Sequence, residues 1–272
     1  MAVMYSASQF WRAVDQQPER QAMVEFLDRM RQHLQSFKQR TFDALGLEPG
    51  RRVLDVGCGP GSDLIDLARR VLPGGSVVGV DAAATMVSEA ERRAVEAGLT
   101  GVVQAVQVDA ARLPFPDGSF AAARSERVLQ HLEAPVAVLA EMARVVAPGG
   151  VVLATDPDWR SAFFTAGDPA VGAVVARRLA ESVQNPDVAR RYGEILTDLG
   201  LAEVHLEAFL GQHRYRTVER RHDLGRLLAA AVAAGEVAPA AAHAWQQAQW
   251  RADGAGHGFL VLTDFAAWGR KV

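Results

Sequence analysis

The chain has one cysteine, Cys58, and only two lysines, Lys38 and Lys271. A single thiol excludes an intrachain disulfide and any thiolate metal cluster. Positive charge rests almost wholly on arginine. Lys+Arg total 29 against 32 Asp+Glu, a net charge of −3, so nothing points to nucleic acid or an anionic membrane as partner. No apolar run nears the roughly 20 residues that span a bilayer. The first twenty residues lack the basic start and apolar core of a secretory signal. No His/Asp/Glu spacing matches a compact metal motif, and the G-x-S-x-G elbow of serine hydrolases is missing. These absences set the expectation of a soluble, cytoplasmic protein with no metal, nucleic-acid or membrane partner.

What is present is an alternation of elements. The 272 residues, 49% hydrophobic, suffice for one large domain. Met23, Phe26, Leu27, Met30, Leu34 and Phe37 recur at three or four and predict an amphipathic N-terminal helix. Apolar strands are then expected at Val53–Val56, Val77–Val80, Val102–Val108, Phe120–Ser125 and Val151–Thr155. Helices between them span 62–71, capped by Ser62 and Asp63, then 85–97, stopped by Gly98, and 134–147, closed by Pro148-Gly149-Gly150. Solid apolar strands alternating with helices imply a parallel sheet covered on both faces. Beyond Asp156, helices are expected at 168–183, 186–199, 218–234 and 239–251, with strands at 204–210 and 258–265. The expected fold is a doubly wound, mostly parallel seven-stranded α/β sheet in a single domain over 1–272. The N-terminal helices 1–45 and an insertion at 157–200 form a cap. The Ala-rich helices cover the sheet, with a homodimer interface as their alternative use.

The stretch "VLDVGCGPGSD" at 53–63 decides the ligand class in steps. A phosphate loop needs a lysine after its last glycine, and none is there. The dinucleotide pattern G-x-G-x-x-G fits at Gly57 and Gly59, but its third glycine arrives one residue early, at Gly61. Three acids add weight. Asp81 ends the second strand 22 positions after Gly59, where a carboxylate can take both ribose hydroxyls. Asp109 ends the third strand on the same edge. Asp55 sits inside the first strand and must find donors, with the amides of the glycine turn nearest.

At these residues the sequence resembles a known family. "VLDVGCGPGSD", "VVGVD", "VDAARLPFPDGSF" and "EMARVVAPGG" resemble the successive motifs of class I S-adenosylmethionine (SAM) dependent methyltransferases, in the small-molecule branch around the ubiquinone/menaquinone-biosynthesis enzymes. The likeness is close from Lys38 to Asp156 and looser beyond. It implies SAM as cofactor and a small-molecule methyl acceptor as partner. It further implies that Gly57, Cys58, Gly59 and Gly61 admit the methionyl part, and that Asp81 holds the ribose. Ala82 and Met86 would flank the adenine, Asp109 and Ala110 bond its edge, and Ser125 lie near the methionyl amine or sulfonium.

SAM is itself a strong methyl donor, so alignment and water exclusion come first. His131 is placed where the family often has a histidine near the cofactor, as a base or as a loop-ordering residue. Trp159 either stacks on a flat acceptor or packs on the next helix, and Asp158 either orients the acceptor or is structural. His213, His222, His257, Arg214, Tyr192 and Tyr215 are further pocket candidates. Arg177, Arg178, Arg190 and Arg191 are solvated unless the substrate is acidic. Two other readings stay open on the same fold: a SAM-bound enzyme that cyclises its substrate without methylating it, and a non-catalytic scaffold. An intact glycine loop and Asp81 speak against the scaffold.

Overall fold

The computed structural model describes Asp15, Val24, Glu25, Leu27, Asp28 and residues 35–272. Met23, Phe26, Met30 and Leu34 of the expected amphipathic helix lie outside those residues. Seven strands form one sheet: β1 (Arg52–Val56), β2 (Ser76–Asp81), β3 (Val103–Gln107), β4 (Phe120–Glu126), β5 (Val146–Phe164), β6 (Leu201–Arg214) and β7 (Phe259–Lys271). Their order is β3-β2-β1-β4-β5-β7-β6. The first five pair in parallel, and β7 runs antiparallel between β5 and β6. The winding reverses between β1 and β4. That is where open α/β sheets leave a crevice beyond their carboxyl ends.

The helices follow the apolar periodicity. α1 (Gln35–Ala44) precedes the sheet. α2 (Ser62–Val71) buries Leu64, Leu67, Ala68 and Val71 on one stripe. α3 (Ala84–Glu96) buries Met86, Ala90 and Ala94. It ends as its sequence predicts: Gly98 takes a φ of 69°, its amide reaches Val95 O, and the Leu99 amide reaches Ala94 O. α4 (Pro135–Val145) packs Val138, Leu139, Met142 and Val145 inward. Then come α5 (Pro169–Glu181), α6 (Tyr192–Asp198), α7 (Tyr215–His222), α8 (Leu224–Ala233) and α9 (Pro239–Gly254).

Three expected boundaries shift for identifiable reasons. β5 starts at Val146, paired with Phe120, and so absorbs Pro148-Gly149-Gly150. It also continues through Asp156–Asp158, because the long antiparallel β7 gives these residues partners at Phe265, Asp264 and Thr263. The expected helix at 186–199 is a 3₁₀ turn, Val188–Arg191, leading into α6. The expected helix at 218–234 breaks at Asp223, which is left-handed (φ 48°) and caps α8 through a bond from the Arg226 amide. Asp is one of the few residues that visits this region readily.

The apolar core is layered. One face of the sheet packs Leu54, Val56, Val78 and Val80 against α4 and α6. The other packs Val53 and Val77 against α1, α2 and α3. A third core joins α5, α7, α8 and α9 around Trp245, with Phe164, Leu260 and Leu262 from the far ends of β5 and β7. The segment 157–200, expected as the cap, is therefore divided. α5 enters this third core, whereas Val188, Ala189, Tyr192, Ile195 and Leu196 belong to the sheet. Leu224, Leu227, Leu228 and Ala231 of α8 are buried inside the third core.

Gly61 is required by helix packing. Its φ is 78°, and a Cβ there would lie 2.7 Å from Ala90 Cβ and 2.8 Å from Ala90 Cα in α3. Gly98 has a similar φ but open space around it. Gly98→Ala should lose about 1 kcal/mol from backbone strain alone, and Gly61→Ala about 2 kcal/mol or more, because overpacking adds to it. Urea unfolding compares them; equal losses would show that the α2–α3 contact does not constrain residue 61.

Candidate functional site

A cavity of about 260 Å3 opens at the winding reversal, over the carboxyl ends of β1 to β4. The glycine turn forms its floor. Gly57 and Cys58 both donate to Val80 O, at 2.7 and 3.0 Å, which ties the turn to β2. Asp55 is thus not served by these amides as expected; its ionic partner is Arg124, at 3.8 Å. A Cβ on Gly57 would lie 2.2 Å from Val128 Cγ2, so only glycine lets the 128–132 segment close over the turn. Gly59 lines the cavity, and a Cβ there would meet nothing nearer than Leu27 Cδ1 at 3.7 Å.

The Asp81 carboxylate is fixed on both oxygens. Oδ2 accepts from the Gly59 amide and Oδ1 from the Ala83 amide, each at 2.9 Å. Burial raises its pKa, and the two amides work against that rise. Ala82, Met86, Asp109 and Ala110 continue the same wall. Met86 is buried, and Asp109 is exposed with Oδ1 accepting from the Ala111 amide at 3.0 Å. Cys58 and Gly61 do not line the cavity. The Cys58 thiol packs behind the turn against Gly79, and burial pushes its pKa well up. Ser125 is also off the wall, fully buried, with a hydroxyl that has no hydrogen-bond partner.

A buried ionic cluster stands beside this floor. Lys38 of α1 meets Asp63 at 2.6 Å and bonds Glu126. Arg124, with no exposed side-chain area, meets Asp63 at 3.0 Å, bonds Glu126, and lies over the Phe42 ring. Asp63, expected to cap α2, is thus drawn inward instead, and Ser62 donates to Asp28. The α2 N-cap is Gly61, with no side-chain cap. Burial opposes the Asp63 charge, but Lys38 and Arg124 outweigh it and hold the carboxyl well below its usual range. Burial pushes the Asp55 carboxyl up to about 6 against the pull of Arg124. Of the cluster, Glu126 reaches the cavity wall.

The opposite end of the cavity is built by residues far along the chain. Trp159, His213, Thr217, Val218, Arg221, His222 and Leu260 face Arg127, Gln130, His131 and Leu132. Trp159 donates its indole N–H to Gln130 and meets His222 edge-on at 5.2 Å. Gln130 in turn donates to Arg127 O at 3.2 Å. Asp158 is not on the wall: it is buried and bound by Arg190 at 2.6 Å. Tyr192 is spent on Asp156, whose carboxyl burial pushes up to about 7. Tyr215 lies in the third core, Arg214 pairs with Asp253, and His257 is exposed. Arg177 and Arg178 pair with Glu236, and Arg191 with Glu194. Sequence reasoning missed Glu126, Arg127, Gln130, Thr217 and Arg221. Arg127 had one local signal, its place directly after a strand on the ligand edge.

The N-terminal stretch touches this rim. Asp15 accepts from the Ala84 and Thr85 amides at the start of α3, at 2.8 and 2.9 Å. Asp28 accepts from both terminal guanidinium nitrogens of Arg93, at 2.7 and 2.9 Å. Leu27 lines the cavity. Among the described residues no cluster of metal-ligating side chains occurs and no helix is long and apolar enough to cross a membrane.

Residues 53–150 match the model of a methyltransferase domain. Demethylmenaquinone methyltransferase of Beutenbergia cavernae is 40% identical over 126 residues, 45% of this chain and 49% of that protein. Nocamycin O-methyltransferase of Saccharothrix syringae is 36% identical over 164 residues, 57% of this chain and 56% of that one. The chain spans about half the length of the curated relatives it matches. Among solved structures, the [4+2]-cyclase SpnF superposes with a TM-score of 0.56 at 25% identity, over 87% of this chain and 81% of the other. Residues 53–150 are thus similar to methyltransferase domains, and these relatives that the chain matches across and around that stretch are named methyltransferases.

Asp55 generates a pH test. Its folded pKa of about 6 exceeds its ordinary value of 3.8, so folding takes up a proton between these limits. That contribution is full below about pH 4 and lost as pH rises through about 6. Asp55→Asn removes it. From pH 4 to 7 the stability difference should move in favour of the variant by about 3 kcal/mol, at about 1.4 kcal/mol per unit. Urea midpoints measured across that range should diverge; parallel curves would place Asp55 outside the titrating cluster.

Proposed function

We propose that the protein transfers the methyl group of SAM to an O, N or C nucleophile of a small molecule, in bacterial secondary metabolism and in the cytoplasm. The observation that carries this reading is Asp81, held by two backbone amides at the edge of a cavity floored by Gly57 and Gly59. The residues suit the cofactor. A half-buried carboxylate pinned through one bond per oxygen keeps acceptor capacity for a diol. A thioether beside it suits an adenine face, and a floor without side chains leaves room for an amino-acid tail.

Asp81 holds the ribose, Ala82 and Met86 flank the adenine, and Asp109 with the Ala110 amide bonds its edge. Gly57 and Gly59 admit the methionyl group. Cys58 and Gly61 act only by shaping the turn. Ser125 lies beneath that end, and Glu126 takes over the methionyl amine, since Lys38 and Arg124 keep its carboxylate in place. When bound, SAM supplies an electrophilic methyl group on a sulfonium. The chain's own work is to align the acceptor and keep water out. Trp159 and Leu260 supply an apolar wall for it. His131 takes the proton from an O–H or N–H acceptor, while Asp158 keeps a structural part.

The family relatives named for methyl transfer support this reading, and the likeness to SpnF keeps cyclisation as the second. Mass spectrometry separates them. Labelled SAM incubated with host extract should yield S-adenosylhomocysteine and one labelled small molecule; a product unchanged in mass, with SAM intact, decides for cyclisation. Asp81→Asn should keep the fold and weaken SAM binding by about 10- to 100-fold, as expected for a lost charge-assisted bond. Calorimetric titration reads this directly, and unaltered affinity would mean the ribose lies elsewhere. His131→Ala should lower turnover about a hundredfold without changing SAM affinity. Full turnover across the pH range would remove it as the base.

A further inference from the structure

One wall of the cavity is a short element that does not hold its own shape. Arg127, Val128, Gln130, His131 and Leu132 line the cavity, and among them runs a single 3₁₀ turn, Leu129–His131. Two bonds of its own close it: the His131 amide donates to Val128 O at 2.9 Å and the Leu132 amide to Leu129 O at 3.2 Å. A 3₁₀ turn of this length is weakly bonded, and its last carbonyl oxygens need partners from outside. The turn is entered through Arg127, left-handed at φ 59°, whose amide donates to Thr155 O at 2.8 Å.

The outside partners come from one residue, more than 50 positions along the chain. Asn185 Nδ2 donates to Leu129 O at 3.1 Å and to Leu132 O at 2.6 Å. Its backbone amide donates to Gln130 O at 2.9 Å. Asn185 itself is half-buried and is not on the cavity wall. The chain after it is rooted in the sheet core through Val188, Ala189 and Tyr192, and Tyr192 donates to Asp156. Pro186, next in sequence, reaches the facing wall: its carbonyl accepts from the Trp159 amide at 2.8 Å. The Trp159 indole N–H donates to Gln130 Oε1. The bonds thus close a ring through Asn185, Gln130, Trp159 and Pro186. Two separate stretches of wall are held in one relative position from behind.

We infer that Asn185 is a positioning residue for methyl transfer: it holds the turn that carries Gln130 and His131 in fixed register with Trp159, across the chamber where the acceptor lies. This deepens the proposed function and rests on it. Methyl transfer needs the acceptor atom and the methyl group aligned, and a misplacement of about 1 Å costs up to about a hundredfold in rate. The planar amide of Asn185 supplies two N–H donors to two carbonyl oxygens. An Asp of the same shape donates neither when ionised, and a Ser hydroxyl is shorter and has one proton. Asp81, which anchors the donor side, is held by the Gly59 and Ala83 amides instead, so cofactor affinity is independent of Asn185.

The test uses the full chain labelled with 5-fluorotryptophan and saturated with S-adenosylhomocysteine. The chain has five tryptophans, and Trp159→Phe assigns the Trp159 fluorine resonance. In Asn185→Asp that resonance should shift or broaden, while those of Trp245 and Trp268, which pack in other cores, stay in place. With saturating labelled SAM and host extract, the initial rate of label transfer should fall about ten- to a hundredfold. The KM for SAM and the calorimetric affinity for S-adenosylhomocysteine should both stay within about threefold. Asn185→Ser is neutral and should give the same pattern, so the test stands even where the Asp variant does not fold. An unmoved Trp159 resonance, a rate within about threefold of the parent, or equal losses of rate and S-adenosylhomocysteine affinity would overturn the inference. Failure of the parent chain to bind S-adenosylhomocysteine, or to label any small molecule, would instead overturn the methyl-transfer reading.

Discussion

Arg124 is a guanidinium with no exposed side-chain area, set at the middle of the sheet. Removing such a charge from water costs several kcal/mol and is repaid only by close, hydrogen-bonded counter-charges. The repayment here comes from three different elements. Asp55 lies on β1, Asp63 in the first turn of α2 and Glu126 at the end of β4, while Lys38 brings in α1. The cluster therefore joins four elements at the point where the winding reverses. The glycine turn runs from β1 into α2, between Asp55 and Asp63, so its course is set from both ends. Glu126 and the left-handed Arg127 come two and three residues after Arg124, and they carry the constraint from the sheet interior to the cavity wall.

A second constraint acts from the other side. β5 and β7 are longer than the sheet needs, and beyond the first five strands they project as an antiparallel pair. Their far ends enter the third core with α5, α7, α8 and α9. This holds Leu260 and Trp159 over the crevice. α7 is fixed at its start by Tyr215 in the same core and broken at its end by Asp223, so Thr217, Val218 and Arg221 lie on one short helix facing the cavity.

Much of this was legible in the sequence where local chemistry decides. Apolar runs at 53–56 and 77–80 gave buried parallel strands, Gly98 gave a helix end, and the position of Asp81 gave a strand-end carboxylate next to the glycine turn. Gly61 was legible as glycine but not in its reason, which depends on α3 coming within contact of the turn. Asp63 read as a cap because a capping residue and a buried ion-pair partner look the same until Lys38 and Arg124 are placed. Asp158 read as a pocket residue because Arg190, its partner, is 32 positions away. Arg221 gave no signal at all. It sits among "VERRHD", where neighbouring arginines look alike, and only the fold turns one of them inward.

Two faces of the cavity draw on separate parts of the chain. The floor and the Asp81 wall come from residues 57–132, within the stretch that matches the methyltransferase domain model, and the facing wall from 159–260. Under the proposed function the acceptor chamber would be closed from both stretches, with His131 on one side and Trp159 and Leu260 on the other. Replacing residues 159–260 alone would then redraw one face of that chamber and leave the opposite face as it is.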